Sequence, residues 1–389
     1  MTTDTTYSGR RPDGSGATIT VRDGRIAAIT PSAVAADAPY LLPVLVDWQC
    51  NGGLGTYFNH IADDGVDTLR AIAANLRRHG VGRVLLTLTT YERTGLLASA
   101  RLLGEVLDDD ADLAALFPGV FHEGYYMSQL EGWRGAHKLE WLRPPNYDEI
   151  TEVDDLLGGR IRVVNIAPEE PGGLDFIDRA VAAGKRVALG HCCPDAATVA
   201  EAVARGASLV THFGNGAATQ VHRHHNPFWS FLAHPELALG LICDGFHLPP
   251  DLVRAAFAAK GRAACLPVSD ASGYAGMPAG DYTAMGGRRF TIAPNGFLHL
   301  TGSEILSGSW FQQDRCVEFL VRHAGFSFLD AWAQCSSVPA AAMGIDLPAL
   351  AVGAEASFVL AQWSDADGLS LRAVHRGLAC PETRPLDPA

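Results

Sequence analysis

Short apolar runs alternate along most of the chain with Ala/Leu/Arg-rich stretches of helical period. The runs predict buried strands at 43–47, 81–86, 119–122, 161–165, 186–189, 208–210, 239–243 and 264–268. Helical spacing between them predicts helices at 66–79, 97–107, 174–183, 196–205 and 250–260. Strand following helix eight times is the pattern of a parallel α/β fold, the TIM (β/α)8 barrel. The two ends of the chain read differently. Residues 17–21 and 25–29 alternate apolar and polar around the turn Arg22-Asp23-Gly24. Residues 356–361 and 369–374 return to the same alternation. Strand clusters at opposite termini predict one small β-sandwich module built from residues 1–42 and 351–389, with the barrel occupying 43–350 between them.

Length fits this reading. A barrel needs roughly 250 residues, and the 389 present leave room for the module. With 48% hydrophobic and 19% charged residues the chain is globular and not disordered. A net charge of −13 argues against a nucleic-acid surface. An anionic substrate would need a local basic pocket. Residues 1–20 lack the apolar core of a secretory signal, and no apolar run approaches the ~20 residues of a membrane span. The eight cysteines are scattered without a repeated CxxC, which fits reduced thiols in the cytoplasm. The expected partner is a small molecule, with neither nucleic acid nor membrane involved.

Barrel enzymes carry their sites at the C-terminal ends of the strands. The polar residues there are Gln49, Asn51, Glu123, His191, His212, Asp244, His247 and Asp270. Glu123, His191 and His212 offer one carboxylate and two imidazoles, a set that suits Zn²⁺ or another borderline divalent ion. A lone histidine after a strand is ordinarily a hydrogen-bonding residue; the shared strand-end placement of all three favours the metal. Asp270 equally fits a proton acceptor for an activated water and an Asx turn or helix cap. His247 equally fits a group that polarises a carbonyl and a surface-loop histidine. The dense stretch His222-Arg223-His224-His225 is either a solvated loop or an anion clamp.

The motifs, in order, resemble the amidohydrolase superfamily and, within it, the N-acetylglucosamine-6-phosphate deacetylases. Leu42 to Gly53 resembles the opening strand, and Phe121-His122-Glu123-Gly124 with Arg134-Gly135-Ala136-His137 resembles HxEGP…KGAH. Gly190-His191, Thr211-His212-Phe213-Gly214-Asn215, Asp244-Gly245-Phe246-His247, Val268-Ser269-Asp270-Ala271 and Leu306-Ser307-Gly308-Ser309 complete the order. The resemblance implies metal ligation by Glu123, His191 and His212, with Asp270 acting as general base and then acid. It implies that His247 polarises the acyl oxygen. It also implies a substrate pocket involving Ala136, His137, Asn215, Gly216, Asp244, Leu306, Ser307 and Gly308. Arg223 lies eight residues after Asn215, as does the family arginine that reaches phosphate across a homodimer interface. Many superfamily members have HxH in the opening strand for a second metal; Gln49 and Asn51 stand there instead, so a single ion is expected.

The substrate-facing loops depart from the family pattern. Tyr125 replaces the usual Pro, the loop before Gly135 is longer, and Asn-Ala-Met is here Asn215-Gly216-Ala217. The resulting expectation is a metal-dependent deacetylase that removes the N-acetyl group of an amino sugar phosphate such as N-acetylglucosamine 6-phosphate, through metal-bound water and Asp270. Two other readings remain. One is an amidohydrolase acting on an N-acyl amino acid or cyclic amide, and the other a barrel that binds a ligand without catalysis.

Overall fold

The computed structural model describes residues 4–284 and 287–383. The outermost parts of the expected terminal module, 1–3 and 384–389, lie outside the described residues.

Eight parallel strands form the central sheet: β1 (Leu45–Cys50), β2 (Val81–Leu88), β3 (Gly119–His122), β4 (Ile161–Ile166), β5 (Arg186–Leu189), β6 (Ala207–Val210), β7 (Ala238–Ile242) and β8 (Cys265–Val268). They pair in chain order. The strands read as apolar runs because both faces are covered. Val46, Trp48, Leu85, Phe121, Val163, Ala188, Leu209, Ile242, Leu266 and Val268 fill the interior as one cluster. Their sequence neighbours Leu45, Val84, Leu86, Val164 and Val187 face outward into the larger core, as the two-residue period of a strand requires. Trp48 and Phe121 stack with ring centroids 5.8 Å apart at the centre.

The barrel closes at its C-terminal rim. Asp270 N donates to Gln49 O at 3.0 Å, and Asn51 N donates to Ala271 O at 2.8 Å. The chain after the last strand is thereby stitched to the first, where the functional residues lie. Beneath this seam the buried carboxylate of Asp47 accepts from Ser269 N at 3.1 Å and Gln49 N at 3.3 Å. Strand β1 runs to Cys50, so Gln49 belongs to the strand itself and not to the loop after it.

The surrounding helices are amphipathic. In Val66–Arg78, Leu69, Ile72, Ala73 and Leu76 face the core. The helix expected from residue 97 begins at Arg93, because the Glu92 carboxylate caps Thr94 N and Gly95 N, each at 2.9 Å.

The two ends of the chain form one seven-stranded sheet. Its order is Leu378–Ala379, Gly368–His375, Phe358–Ser364, Tyr40–Leu42, Thr5–Arg10, Gly16–Arg22, Arg25–Pro31. Ala17, Ile19 and Val21 alternate inward and pack against Phe358 and Val374. A separate three-stranded sheet, Gly280–Thr283, Arg289–Ile292 and Leu298–Leu300, follows β8. Among the described residues no helix is long and apolar enough to cross a membrane.

Candidate active site

Strand parity aims the site residues. Phe121 points into the barrel, so Glu123, two residues on, points the same way above it; Val268 does the same for Asp270. The backbone then turns sharply. His191, His212 and Asp270 have φ of 52°, 28° and 49°, a region costly for residues with a side chain. Such strain gathers where the surrounding structure holds a site in place.

Glu123, His191 and His212 are all buried, and each offers a ligand atom to one small volume. His212 Nε2 lies 3.0 Å from Glu123 Oε1 and 3.0 Å from His191 Nε2. His191 Nε2 lies 3.5 Å from Glu123 Oε1. Two ligands at ~2.1 Å from a tetrahedral ion would be about 3.4 Å apart, so these spacings suit one ion. His191 Nδ1 faces Trp133 O at 3.2 Å. A proton donated there leaves the Nε2 lone pair aimed at the shared point. The residues therefore fit a divalent metal held by two nitrogens and one oxygen.

Beside this cluster, Asp270 accepts two amide hydrogen bonds at one oxygen. Asn51 Nδ2 donates to Oδ1 at 2.8 Å and Gln49 Nε2 at 3.1 Å. Gln49 Nε2 also reaches Glu123 Oε1 at 3.2 Å. Burial, and then the charge of Glu123, push the Asp270 carboxyl up to about 6, the range of a useful proton acceptor at neutral pH. His247 Nδ1 bonds Asp244 Oδ2 at 2.7 Å. Burial, the largest single influence, presses the imidazole toward neutrality, yet the charge and hydrogen bond of Asp244 and the charge of Asp270 together outweigh it and the pKa rises.

One pocket of about 860 Å³ contains Glu123, His191, His212, Asp270 and His247. Ala136, His137, Asn215, Gly216, Leu306, Ser307 and Gly308 also line it. His137 Nδ1 lies 2.7 Å from Thr90 Oγ1, and burial pushes its pKa down to about 3, so the imidazole is neutral. Gly216, with φ of 57°, lets the chain pass so close to His191 that an added Cβ would sit 2.5 Å from Nδ1. Two expected substrate contacts do not line the pocket. Asp244 lies behind His247, and Arg223 is on an exposed loop with its carbonyl accepting from Trp229 Nε1 at 3.0 Å. Tyr57, Thr90 and Arg288 also line the pocket and Asp47 supports its rim, although none of them is among the site residues expected from the sequence. Asp47 had a signal, a lone carboxylate inside an apolar strand; the others come from loops whose approach depends on the fold.

A barrel with strand-end Glu/His/His donors and an adjacent aspartate defines a metal-dependent hydrolase of the amidohydrolase type. No family model matches the chain. The N-acetylgalactosamine-6-phosphate deacetylase of Escherichia coli O157:H7 is 31% identical over 347 residues, 87% of this chain and 89% of that protein. The N-acetylglucosamine-6-phosphate deacetylase of Bos taurus is 30% identical over 346 residues, 86% of this chain and 81% of its own. The solved N-acetyl-D-glucosamine-6-phosphate deacetylase of Mycobacterium smegmatis superposes with a TM-score of 0.79 at 26% identity, covering 94% of this chain and 96% of that one. The chain belongs to the N-acetylglucosamine- and N-acetylgalactosamine-6-phosphate deacetylase family.

Proposed function

We propose that this protein is a hydrolase of non-peptide C–N bonds that removes the N-acetyl group of a 2-acetamidohexose 6-phosphate. The observation that carries the reading is Asp270, a buried carboxylate held by Gln49 and Asn51 beside three convergent metal donors. Glu123, His191 and His212 would hold the ion. When bound, a divalent ion supplies Lewis acidity at the acyl oxygen and brings the pKa of a water toward ~7. Asp270 accepts the proton of the attacking water and returns it to the departing amine. Its two amide partners load a single oxygen, Oδ1, which leaves Oδ2 for the proton. His247, with Nδ1 committed to Asp244, presents Nε2–H to the developing oxyanion. His137, Asn215, Gly216 and the Leu306-Ser307-Gly308 turn bind the sugar.

The donor set favours Zn²⁺. The eight cysteines are all unpaired, which favours the cytoplasm. Val221 and Trp229, 38% and 56% exposed beside Arg223, favour a homodimer face that hides them. The sheet shared by strands within 4–42 and 351–383 favours one discontinuous module beside the barrel, the expected 1–42 and 351–389.

The test is acetate release by zinc-loaded enzyme from N-acetylglucosamine 6-phosphate, N-acetylgalactosamine 6-phosphate and their unphosphorylated forms. Turnover of N-acyl amino acids or cyclic amides, with none of these hexosamines, would overturn the reading.

A further inference from the structure

Among the described residues three cationic side chains other than histidine line the pocket: Arg134, Lys138 and Arg288. Two are engaged. Arg134 Nη1 donates to Gln129 O at 3.1 Å. Lys138 Nζ pairs with Glu140 at 3.3 Å and rests 4.6 Å above the Trp141 ring. Arg288 differs. Its side chain is half-buried, and among the described residues its guanidinium has neither a hydrogen bond nor an ion pair. Burial pulls its pKa down, against a smaller opposing influence of Tyr57.

The position of Arg288 is built. It immediately precedes the strand Arg289–Ile292 of the three-stranded sheet, and its carbonyl accepts from Ala284 N at 2.8 Å. Alternation puts Arg288 on the face of Phe290, which lines the pocket and packs 5.1 Å from Tyr274 between ring centroids. Arg289 is exposed. Trp310 Nε1 donates to Met277 O at 2.8 Å, tying the segment that follows this sheet to the one that precedes it, and its ring packs against the small core around Tyr274 and Phe290. A partly desolvated guanidinium on an anchored backbone, with no ion pair among the described residues, suits a bidentate oxyanion.

We propose that Arg288 is a substrate-binding residue that receives the phosphate of the sugar within a single protomer, in addition to any contact made by Arg223 from a partner. The inference rests on the proposed deacetylase reading and adds the residue that selects phosphorylated substrate.

The experiment compares wild type with Arg288→Ala, Arg288→Lys and Arg223→Ala. It measures kcat and KM on N-acetylglucosamine 6-phosphate and N-acetylglucosamine, and calorimetric binding of glucosamine 6-phosphate and glucosamine. Circular dichroism and zinc content report folding. In Arg288→Ala the ratio of kcat/KM for phosphorylated over unphosphorylated sugar should fall about 10- to 100-fold, the size of a lost charge-assisted hydrogen bond. The loss should fall mainly on KM, with partial recovery in Arg288→Lys. An unchanged ratio in folded, zinc-replete Arg288→Ala overturns the proposal, as does loss of phosphate preference in Arg223→Ala alone. If wild type hydrolyses no N-acetylhexosamine, the deacetylase reading fails, and binding then judges Arg288 by itself. Wild type that does not prefer glucosamine 6-phosphate over glucosamine also overturns it.

Discussion

Gln49 Nε2 donates to Asp270 Oδ1 at 3.1 Å, and the same nitrogen lies 3.2 Å from Glu123 Oε1. A neutral amide thus bridges two carboxylates at a position where a second cation would need a ligand. With Asn51 donating to the same Asp270 oxygen, the charge there is met by N–H groups. Elemental analysis of metal-saturated protein should therefore find one divalent ion per chain. Two tightly held ions would contradict this account of Gln49 and Asn51.

Asp270 does not belong to the convergent donor cluster, so Asp270→Asn should keep the metal. The variant cannot accept a proton, and kcat should fall by about 10³-fold, within the range of lost general acid–base catalysis. Metal content and turnover measured on one preparation check this. A variant retaining more than a tenth of wild-type kcat would show that another group moves the proton.

The His247–Asp244 pair makes a pH prediction. Burial disfavours both charges, but their 2.7 Å contact prevails; the imidazole pKa lies above its ordinary 6.5 and the carboxyl below its ordinary 3.8. The stability that His247 contributes is complete below pH 6.5 and is lost as pH rises through its raised pKa. That of Asp244 is present above 3.8 and is lost as pH falls through its lowered one. The pair is therefore most stabilising between these limits. In Asp244→Asn the strongest influences raising the imidazole pKa are gone and burial prevails over the Asp270 charge, so the imidazole becomes neutral at lower pH. The alkaline limb of kcat should move to lower pH, and kcat at pH 7 should fall about 10-fold or more. A limb that stays in place would assign it to another group.

Much of this was readable from the chain because two simple periods dominate it. Apolar strands flanked by amphipathic helices place β1 to β8, and polar residues interrupting those runs mark Glu123, His191, His212 and Asp270. The helix Gln313–Ala324 escaped because Gln313, Asp314, Arg315 and Glu318 are buried, which blurs its apolar stripe. The strands Gly280–Thr283 and Arg289–Ile292 escaped because they carry only a small local core around Tyr274 and Phe290. Arg288 was hidden for the same reason, since its approach depends on that sheet. The positive φ of His191, His212 and Asp270 has no sequence signature; it follows from chain turns that only the closed barrel imposes.

The contact between Gly216 and His191 supplies the last prediction. A Cβ on Gly216 would stand 2.5 Å from His191 Nδ1 and 2.6 Å from Cε1, at a φ of 57°. Neither ring nor backbone can yield freely. The ring is flanked by His137 and His212 at centroid distances of 4.6 and 4.7 Å, and Nδ1 faces Trp133 O. Gly216→Ala should thus turn the His191 ring and move Nε2 off the point it shares with Glu123 and His212. Chelator competition should show metal affinity reduced about 10- to 100-fold, the scale of a disturbed outer-shell contact. The melting temperature of the metal-free protein should change far less than the metal-induced increment. Undiminished affinity would mean that the 214–216 turn shifts as a unit, and that His191 is held by Trp133 and not by the packing of Gly216.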